Sequence, residues 1–152
     1  MQFSVEQIEL ACRMKDSGLP WDPQVGHYVY DRSKVCQRGS PFQEGVYFIL
    51  DYPCFCRHVG GADTLEREMV WLPTWYDCRM LLTQGGVADA EVVAVAIAGI
   101  PAGAELTHLY QKMIATAAII PKDNVAECPT SQPSQCSRRS IATQSGCPKP
   151  LD

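Results

Sequence analysis

The sequence MVWLPTWYDC, residues 69–78, decides the fold class, because it passes from a strand pattern to a helix pattern. Residues 69–72 have the apolar, β-prone composition of a strand. Pro73 ends that strand, since proline has no backbone N–H to donate. Thr74, with Asp77 three residues later, is a helix N-cap pattern, and the helix is predicted to run through Cys78 to the Gly85-Gly86 pair.

Two further strands are predicted upstream of this stretch. His27–Tyr30 is short and rich in β-prone residues. Val46–Leu50 is apolar on both alternating faces, which favours a central strand covered on both sides. Gly60-Gly61 and the charged segment Asp63–Glu68 predict a loop that leads back to residue 69.

Two more helices are predicted, one near each end of the folded part. Ser4 and Gln7 form a capping-box pattern, and the helix that follows is expected from Val5 to Ser17. A second helix is expected from Ala104 to Ala117, because its leucines recur at helical spacing. The segment Glu91–Ala98 is compatible with strand or helix, and its alternating valines favour a strand.

The chain is expected to form a single compact α+β domain over residues 1–121, in which a small, mostly antiparallel sheet packs with about three helices. Residues 122–152 differ in composition, with four prolines, five serines and no aromatic residue. Such a segment buries too little apolar surface to offset the entropy of ordering its backbone. A disordered Pro/Ser/Gln-rich tail is therefore predicted.

The charge balance argues against a nucleic acid as the partner. The chain has a net charge of −4, and the tail carries four cationic and three acidic residues, which leaves −5 on residues 1–121. An acidic domain without a clustered basic face lacks the charge that supplies most nucleic-acid affinity. The expected partner is another protein or a small molecule.

No secretory or membrane-spanning segment is expected. The first ten residues, MQFSVEQIEL, lack the basic and then apolar pattern of a leader. The most apolar run, Val92–Ile100, is about half as long as a membrane span. A cytoplasmic location is predicted, where the eight cysteines are mostly free thiols or metal ligands.

Cys54, Cys56 and His58 form the sharpest local motif. In an extended segment, side chains two residues apart point to one face, so two thiols and an imidazole would lie together as zinc ligands. Cys36 or Cys78 would supply the fourth ligand of a closed structural zinc site. A fourth position without a protein ligand would instead suit a small metal-dependent hydrolase. The irregular spacing favours the alternative, in which these cysteines are small hydrophobic residues.

A cysteine-dependent enzyme is a further alternative. Cys78 would need a base such as His108 and an orienting group such as Asp77. Neighbouring residues diverge by about 100° around a helix, which separates Asp77 from Cys78 and favours a Cys78 that faces the core. No residue is assigned a catalytic role.

Aromatic side chains are concentrated in one part of the chain, since 11 of the 13 lie between residues 21 and 76. Tryptophan and tyrosine are enriched at interaction hot spots. The leading hypothesis is a non-enzymatic binding or protein-interaction module with Trp21 exposed to solvent in a Pro-rich loop. Its contact surface would comprise Trp21, Tyr28, Tyr30, Trp71 and Trp75.

Two short motifs carry a resemblance to other proteins: Gly18-Leu19-Pro20-Trp21-Asp22-Pro23 and Val70-Trp71-Leu72-Pro73-Thr74. Together they resemble motifs of small uncharacterised bacterial and phage-type proteins, over roughly the first 85 residues. The resemblance implies a bacterial or phage cytosolic setting and no particular activity.

Overall fold

The computed structural model describes residues 2–97, 101 and 103–117. The chain divides into two units, Met1–Pro121 and Lys122–Asp152, and every described residue belongs to the first. The predicted disordered tail, residues 122–152, therefore lies outside the described residues.

The described residues form six helices and three strands, which confirms the α+β class. The helices outnumber the roughly three that the sequence predicts. In chain order the elements are α1 (Val5–Asp16), β1 (Tyr28–Asp31), β2 (Val46–Phe48), α2 (Tyr52–Val59), α3 (Ala62–Glu68), β3 (Met69–Leu72), α4 (Trp75–Gln84), α5 (Asp89–Ile97) and α6 (Glu105–Ala117).

Helices α1, α4 and α6 confirm their sequence predictions. Ser4 Oγ accepts a hydrogen bond from Gln7 N at 3.1 Å, while Gln7 Oε1 accepts one from Ser4 N at 2.9 Å. Thr74 and Asp77 make the same reciprocal pair at the start of α4. Helix α6 buries the apolar face that its sequence pattern indicates.

The sheet is antiparallel, with strand order β2-β1-β3 among the described residues. Val29 in β1 pairs with Tyr47 of β2 and with Trp71 of β3. Residues that pair directly across neighbouring strands point to the same side of a sheet, so these three residues share one face. The prediction of a central strand at Val46–Leu50 is wrong, since β2 lies at an edge. Its side chains are covered on both faces, a pattern that does not distinguish an edge from a centre.

One face of the sheet packs against α1, α4 and α6 and forms the main core. The strands contribute Val46, Val70 and Leu72 to it. Tyr110 of α6 is fully buried there, and its hydroxyl donates to Pro73 O at 2.6 Å. The main core therefore ties the last described helix to the turn between β3 and α4.

The opposite face packs against α2 and α3 and forms a smaller second core. Its buried residues are Val29, Ile49, Val59, Leu65 and Met69. Trp21 packs against this cluster from the loop that follows α1. That loop is thus held on the side of the sheet that carries Trp71.

Residues 52–68 form two short helices, where the sequence predicts an extended segment followed by a loop. Asp51 caps α2 by accepting from Cys54 N at 2.7 Å. Pro53 lies in the first turn of α2, where a missing N–H costs nothing. Gly60, with φ of 95°, ends α2 in the left-handed region, and Gly61 precedes α3. The prediction is wrong because the two glycines separate two helices and do not open a loop.

The prediction of a strand at residues 91–98 is also wrong for the part described, because Asp89–Ile97 is helix α5. Acidic side chains at Asp89 and Glu91 lie in its first turn, where the helix dipole favours them. Alanine, the best helix former, alternates with the valines and offsets their β-propensity. Val92 is buried in the main core, so packing on the neighbouring helices decides the structure here.

Candidate functional site

Two tryptophans meet at the β3 edge of the sheet. Trp71 is positioned by its register opposite Val29, and Trp21 comes from a loop in which Pro20 and Pro23 prevent continuation of α1. The two indole rings are nearly parallel, with centroids 6.3 Å apart and an interplanar angle of 9°. Both side chains are half-buried. The expectation of an exposed Trp21 is therefore wrong, because the indole packs on the second core, although part of the stack faces solvent.

His27 fixes the position of Trp21. Its Nδ1 accepts hydrogen bonds from Trp21 Nε1 at 3.1 Å and from Gln24 N at 3.3 Å. The imidazole centroid lies 5.0 Å from the centroid of Trp71. Because an accepting nitrogen carries no proton, the ring is neutral and protonated at Nε2.

The electrostatic surroundings of His27 agree with a neutral ring. Burial lowers the pKa of His27, since desolvation disfavours the imidazolium. The carboxylates of Asp77 and Asp22 raise that pKa, but by less than burial lowers it. The neutral acceptor form is therefore the one that the fold stabilises.

A cleft of about 190 Å³ opens beside the two indoles, between α1 and the end of α3. Pockets for drug-sized ligands have volumes of roughly 300–1,000 Å³. The cleft is therefore large enough for one side chain or a small group, and too small for a nucleotide or an organic cofactor. Its walls are formed by Ala11, Met14, Lys15, Leu19, Trp21, Glu66 and Trp71.

Lys15 forms the polar wall of the cleft. Its ammonium donates to Glu66 O at 2.7 Å and to Met69 O, which are carbonyls at the junction of α3 and β3. Burial lowers the pKa of Lys15, and the charge of Glu68 opposes this shift. Lys15 thus fastens α1 to the strand edge and covers part of it.

Among the described residues, the indole Nε1 of Trp71 is a buried side-chain nitrogen without a hydrogen-bond partner. Nearly all buried donors are paired, and an unpaired one costs about 1–3 kcal/mol. This donor belongs to one of the two rings that border the cleft.

The structure brings together two of the five predicted binding residues, Trp21 and Trp71. Tyr28 and Tyr30 lie on the opposite face of the sheet and pack against the main core, because they alternate with Val29. Trp75 begins α4 and also packs against the main core. The guanidinium of Arg79 lies 5.7 Å from the Trp75 ring centroid, and Trp75 does not line the cleft.

Three residues of the site are not among the predicted binding residues: His27, Lys15 and Glu66. His27 precedes Val29 by two positions, so strand alternation alone would have placed it on the face of Trp71. Lys15 and Glu66 are 51 positions apart and meet through a backbone carbonyl. No local pattern indicates that contact.

The predicted metal ligands lie on α2 and not on an extended segment. Cys54 and His58 are exposed and separated by about 40° around the helix, whereas Cys56 is about 200° from Cys54 and packs against the second core. The argument that placed all three on one face is therefore wrong. Within residues 2–97, 101 and 103–117, no group of three or more His, Cys, Asp or Glu side chains is arranged to hold a metal ion.

Cys78 is fully buried in the main core, which confirms the prediction that it faces the core. Burial, with a smaller contribution from Asp77, raises the pKa of Cys78 far above that of a free thiol. His108 is exposed on α6, and its Nδ1 lies 3.0 Å from Ala104 O of the same helix. The thiol, the imidazole and Asp77 are thus not assembled as a catalytic set.

No family model matches the chain, and no curated protein or solved structure matches it either. In the part of the chain that the structure describes, no helix has the length and apolar character needed to cross a membrane.

Proposed function

We propose that the protein is a non-enzymatic binding module for another protein, and that the cleft beside Trp21 and Trp71 receives one side chain of that partner. The observation that carries the proposal is the parallel indole stack at the cleft, with centroids 6.3 Å apart. Tryptophan is among the residues most enriched at interaction hot spots, where it pairs with pockets on the partner.

The stack is preorganised, which favours binding. The side chain of Trp21 is held by the hydrogen bond to His27 at 3.1 Å. The backbone of Trp71 is held by the β-ladder, and its ring packs against those of Trp21 and His27. A side chain that is already fixed loses little conformational entropy when a partner binds. The cleft therefore presents a rigid aromatic surface before any partner arrives.

Further contact area lies on the loops beside Trp21. Val25 and Leu50 are exposed over 59% and 74% of their surfaces. The hydrogen bond from Gly26 N to Ile49 O, at 2.8 Å, holds their two loops together. Because a stable interface buries far more surface than one small cleft, we assign the remaining contacts to these loops.

The hydrogen bonds of two polar groups at the cleft, His27 and Lys15, support binding over catalysis. His27 Nδ1 is already used as an acceptor for Trp21 and Gln24, and the Lys15 ammonium is already bound to two carbonyls. A general acid or base must have a free proton or lone pair within reach of its substrate. Both groups instead hold the walls of the cleft in place.

The test is a selection of displayed random peptides on the full chain, followed by NMR of the three tryptophan indole N–H signals. Peptides that bind as proposed shift the signals of Trp21 and Trp71 and leave that of Trp75 in place. Peptides that shift only Trp75, or a selection that enriches no binder, would overturn the proposal.

The matched variants are Trp21→Ala and Tyr76→Ala. Both remove an aromatic side chain, but Tyr76 is 65% exposed on α4 and does not line the cleft. We expect Trp21→Ala to weaken peptide binding by at least about tenfold, as for a hot-spot residue, and Tyr76→Ala to leave it unchanged. Because the NMR result is obtained on the unmodified chain, it remains decisive if Trp21→Ala lowers stability.

A further inference from the structure

We infer that the side chain received by the cleft is cationic, a lysine or arginine in a basic segment of the partner protein. This inference rests on the proposed function and adds the chemistry of the occupant. It follows from two indole faces and Glu66 at one small opening, together with Asp22 and Asp77 beside His27.

The three carboxylates belong to Asp22, Glu66 and Asp77. Glu66 lines the cleft itself. Asp22 follows Trp21 directly in the chain, and Asp22 and Asp77 both lie close enough to His27 to raise its pKa. Asp22 and Asp77 therefore act on the imidazole that holds Trp21, and Asp77 also accepts hydrogen bonds from Thr74 N and Thr74 Oγ1.

These carboxylates are not neutralised by ion pairs within the described residues. Two cations of the same region are already paired elsewhere: Arg32 with Asp16 at 2.9 Å, and Arg67 with Glu68 at 2.7 Å. That leaves Lys15, whose ammonium points into the carbonyls of Glu66 and Met69.

Among the residues that line the cleft, Glu66 and Lys15 carry opposite charges, so Asp22 and Asp77 beside His27 make the local balance negative. The negative charge of the whole unit adds to this local field, since residues 1–121 carry a net charge of −5. Complementary charge speeds association and excludes partners of the wrong sign. An acidic side chain in the cleft would add to this negative charge.

The aromatic walls favour the same class of occupant. A cation over the face of an indole is attracted by the negative face of the ring, and tryptophan is the strongest partner for this contact. Lysine and arginine also carry aliphatic stems that pack along apolar surface while the charge stays near water. Met14 and Leu19 supply such surface in the cleft.

The experiment compares synthetic peptides of one host sequence that differ at a single central position: lysine, arginine, norleucine or glutamate. Binding to the full chain is followed by the indole N–H signals of Trp21 and Trp71. We expect the lysine and arginine peptides to bind about tenfold more tightly than the norleucine peptide, and the glutamate peptide to bind least. Added salt should reduce the difference.

Carboxylate variants test the charge argument directly. The double variant Asp22→Asn/Glu66→Gln keeps the shapes of both side chains and should remove most of the preference for lysine over norleucine. Glu44→Gln, an exposed glutamate on the loop before β2, should leave that preference unchanged. Equal loss in both would mean that overall charge, not the cleft, attracts the peptide, and would overturn the inference.

The outcomes separate the two proposals. Norleucine binding as tightly as lysine, with the Trp21 and Trp71 signals still shifting, overturns the cationic occupant and leaves the binding module standing. No shift of these signals by any host peptide or any selected peptide overturns both. Concentration-dependent shifts without peptide, matched by dimers in sedimentation, would identify a second copy of this chain as the occupant and also overturn the inference.

Discussion

The Nε1 of Trp21 donates a hydrogen bond to Nδ1 of His27 at 3.1 Å, and this contact joins the aromatic cleft to the protonation state of one imidazole. Only the neutral ring offers Nδ1 as an acceptor. When that nitrogen gains a proton, the contact to Trp21 and the one from Gln24 N are both lost. The geometry of the cleft therefore depends on pH.

We predict that acidification weakens the fold and loosens Trp21. Burial lowers the pKa of His27 below the value of about 6.5 in an unfolded chain. The stabilisation that the neutral His27 ring provides is thus fully present above about pH 6.5, and it is lost as the pH falls through the lower pKa of the folded state. We expect a loss of about 1 kcal/mol from the unfolding free energy, measured by urea denaturation across a pH series.

A His27→Asn variant is the control for this prediction. The asparagine carbonyl accepts hydrogen bonds but does not titrate. The loss of unfolding free energy on acidification should therefore disappear, while peptide binding at neutral pH is largely kept. Asp22 and Asp77 face His27, and both carboxylates are kept in the variant. An unchanged loss in His27→Asn would show that another group is responsible.

Two of the five residues argued to form the candidate site, Trp21 and Trp71, were predictable from the sequence. Trp21 and Trp71 were identified because one lies in a Pro-rich loop and the other in an apolar strand. Tyr28 and Tyr30 were grouped with them by composition alone, although strand alternation places both on the face opposite Val29. Lys15 and Glu66 meet across 51 positions of the chain, and only the packed structure reveals that contact.

Elements of the fold were predictable where a capping residue, a proline or a glycine lies at the end of a periodic apolar pattern. The helix after Ser4 is expected from a capping-box pattern and the helix after Thr74 from an N-cap pattern, and both helices begin with a capping box. Residues 52–68 were misassigned because the helix-start signal at Asp51 competes with two glycines, each of which also marks a loop. For α5, burial of Val92 against other helices outweighs the β-propensity of valine, and propensity alone does not contain that packing.

Thr74 contributes to stability through its capping box with Asp77. Thr74 N donates to Asp77 Oδ2 at 2.7 Å, and Asp77 N donates to Thr74 Oγ1 at 3.3 Å. We predict that Thr74→Ala lowers the unfolding free energy by about 1 kcal/mol. Thr74→Ser keeps the hydroxyl and should cost at most a few tenths. Equal losses in urea denaturation would indicate that the methyl group, not the cap, is responsible.

Gln43 holds the N-terminal segment in place through both ends of its amide. Phe3 N donates to Gln43 Oε1, and Gln43 Nε2 donates to Phe3 O, each at 2.9 Å. Phe3 is only 3% exposed, so its backbone groups have little access to water when the amide is removed. We predict that Gln43→Ala costs about 1–3 kcal/mol.

Gln111→Ala provides the comparison for Gln43. Gln111 is exposed on α6, and alanine is the better helix former, so this variant should be neutral or slightly stabilising. Hydrogen exchange provides a second measurement, since Phe3 N–H should exchange faster in Gln43→Ala than in the wild type. A wild-type exchange rate in that variant would contradict the assigned role.

Cys78 should be inert towards alkylation in the native protein. It is fully buried, and burial raises its pKa far above neutrality, so almost no thiolate is present to react.

Cys54 is exposed and serves as the internal reference. After brief treatment with iodoacetamide and trypsin digestion, the two thiols appear on separate peptides, residues 39–57 and 68–79. We expect Cys78 to react at least about a hundredfold more slowly than Cys54 in buffer, because reaction requires opening of the core, and at a similar rate in urea. Comparable native rates would show a reactive thiol at Cys78 and would restore the cysteine-dependent enzyme as the better hypothesis.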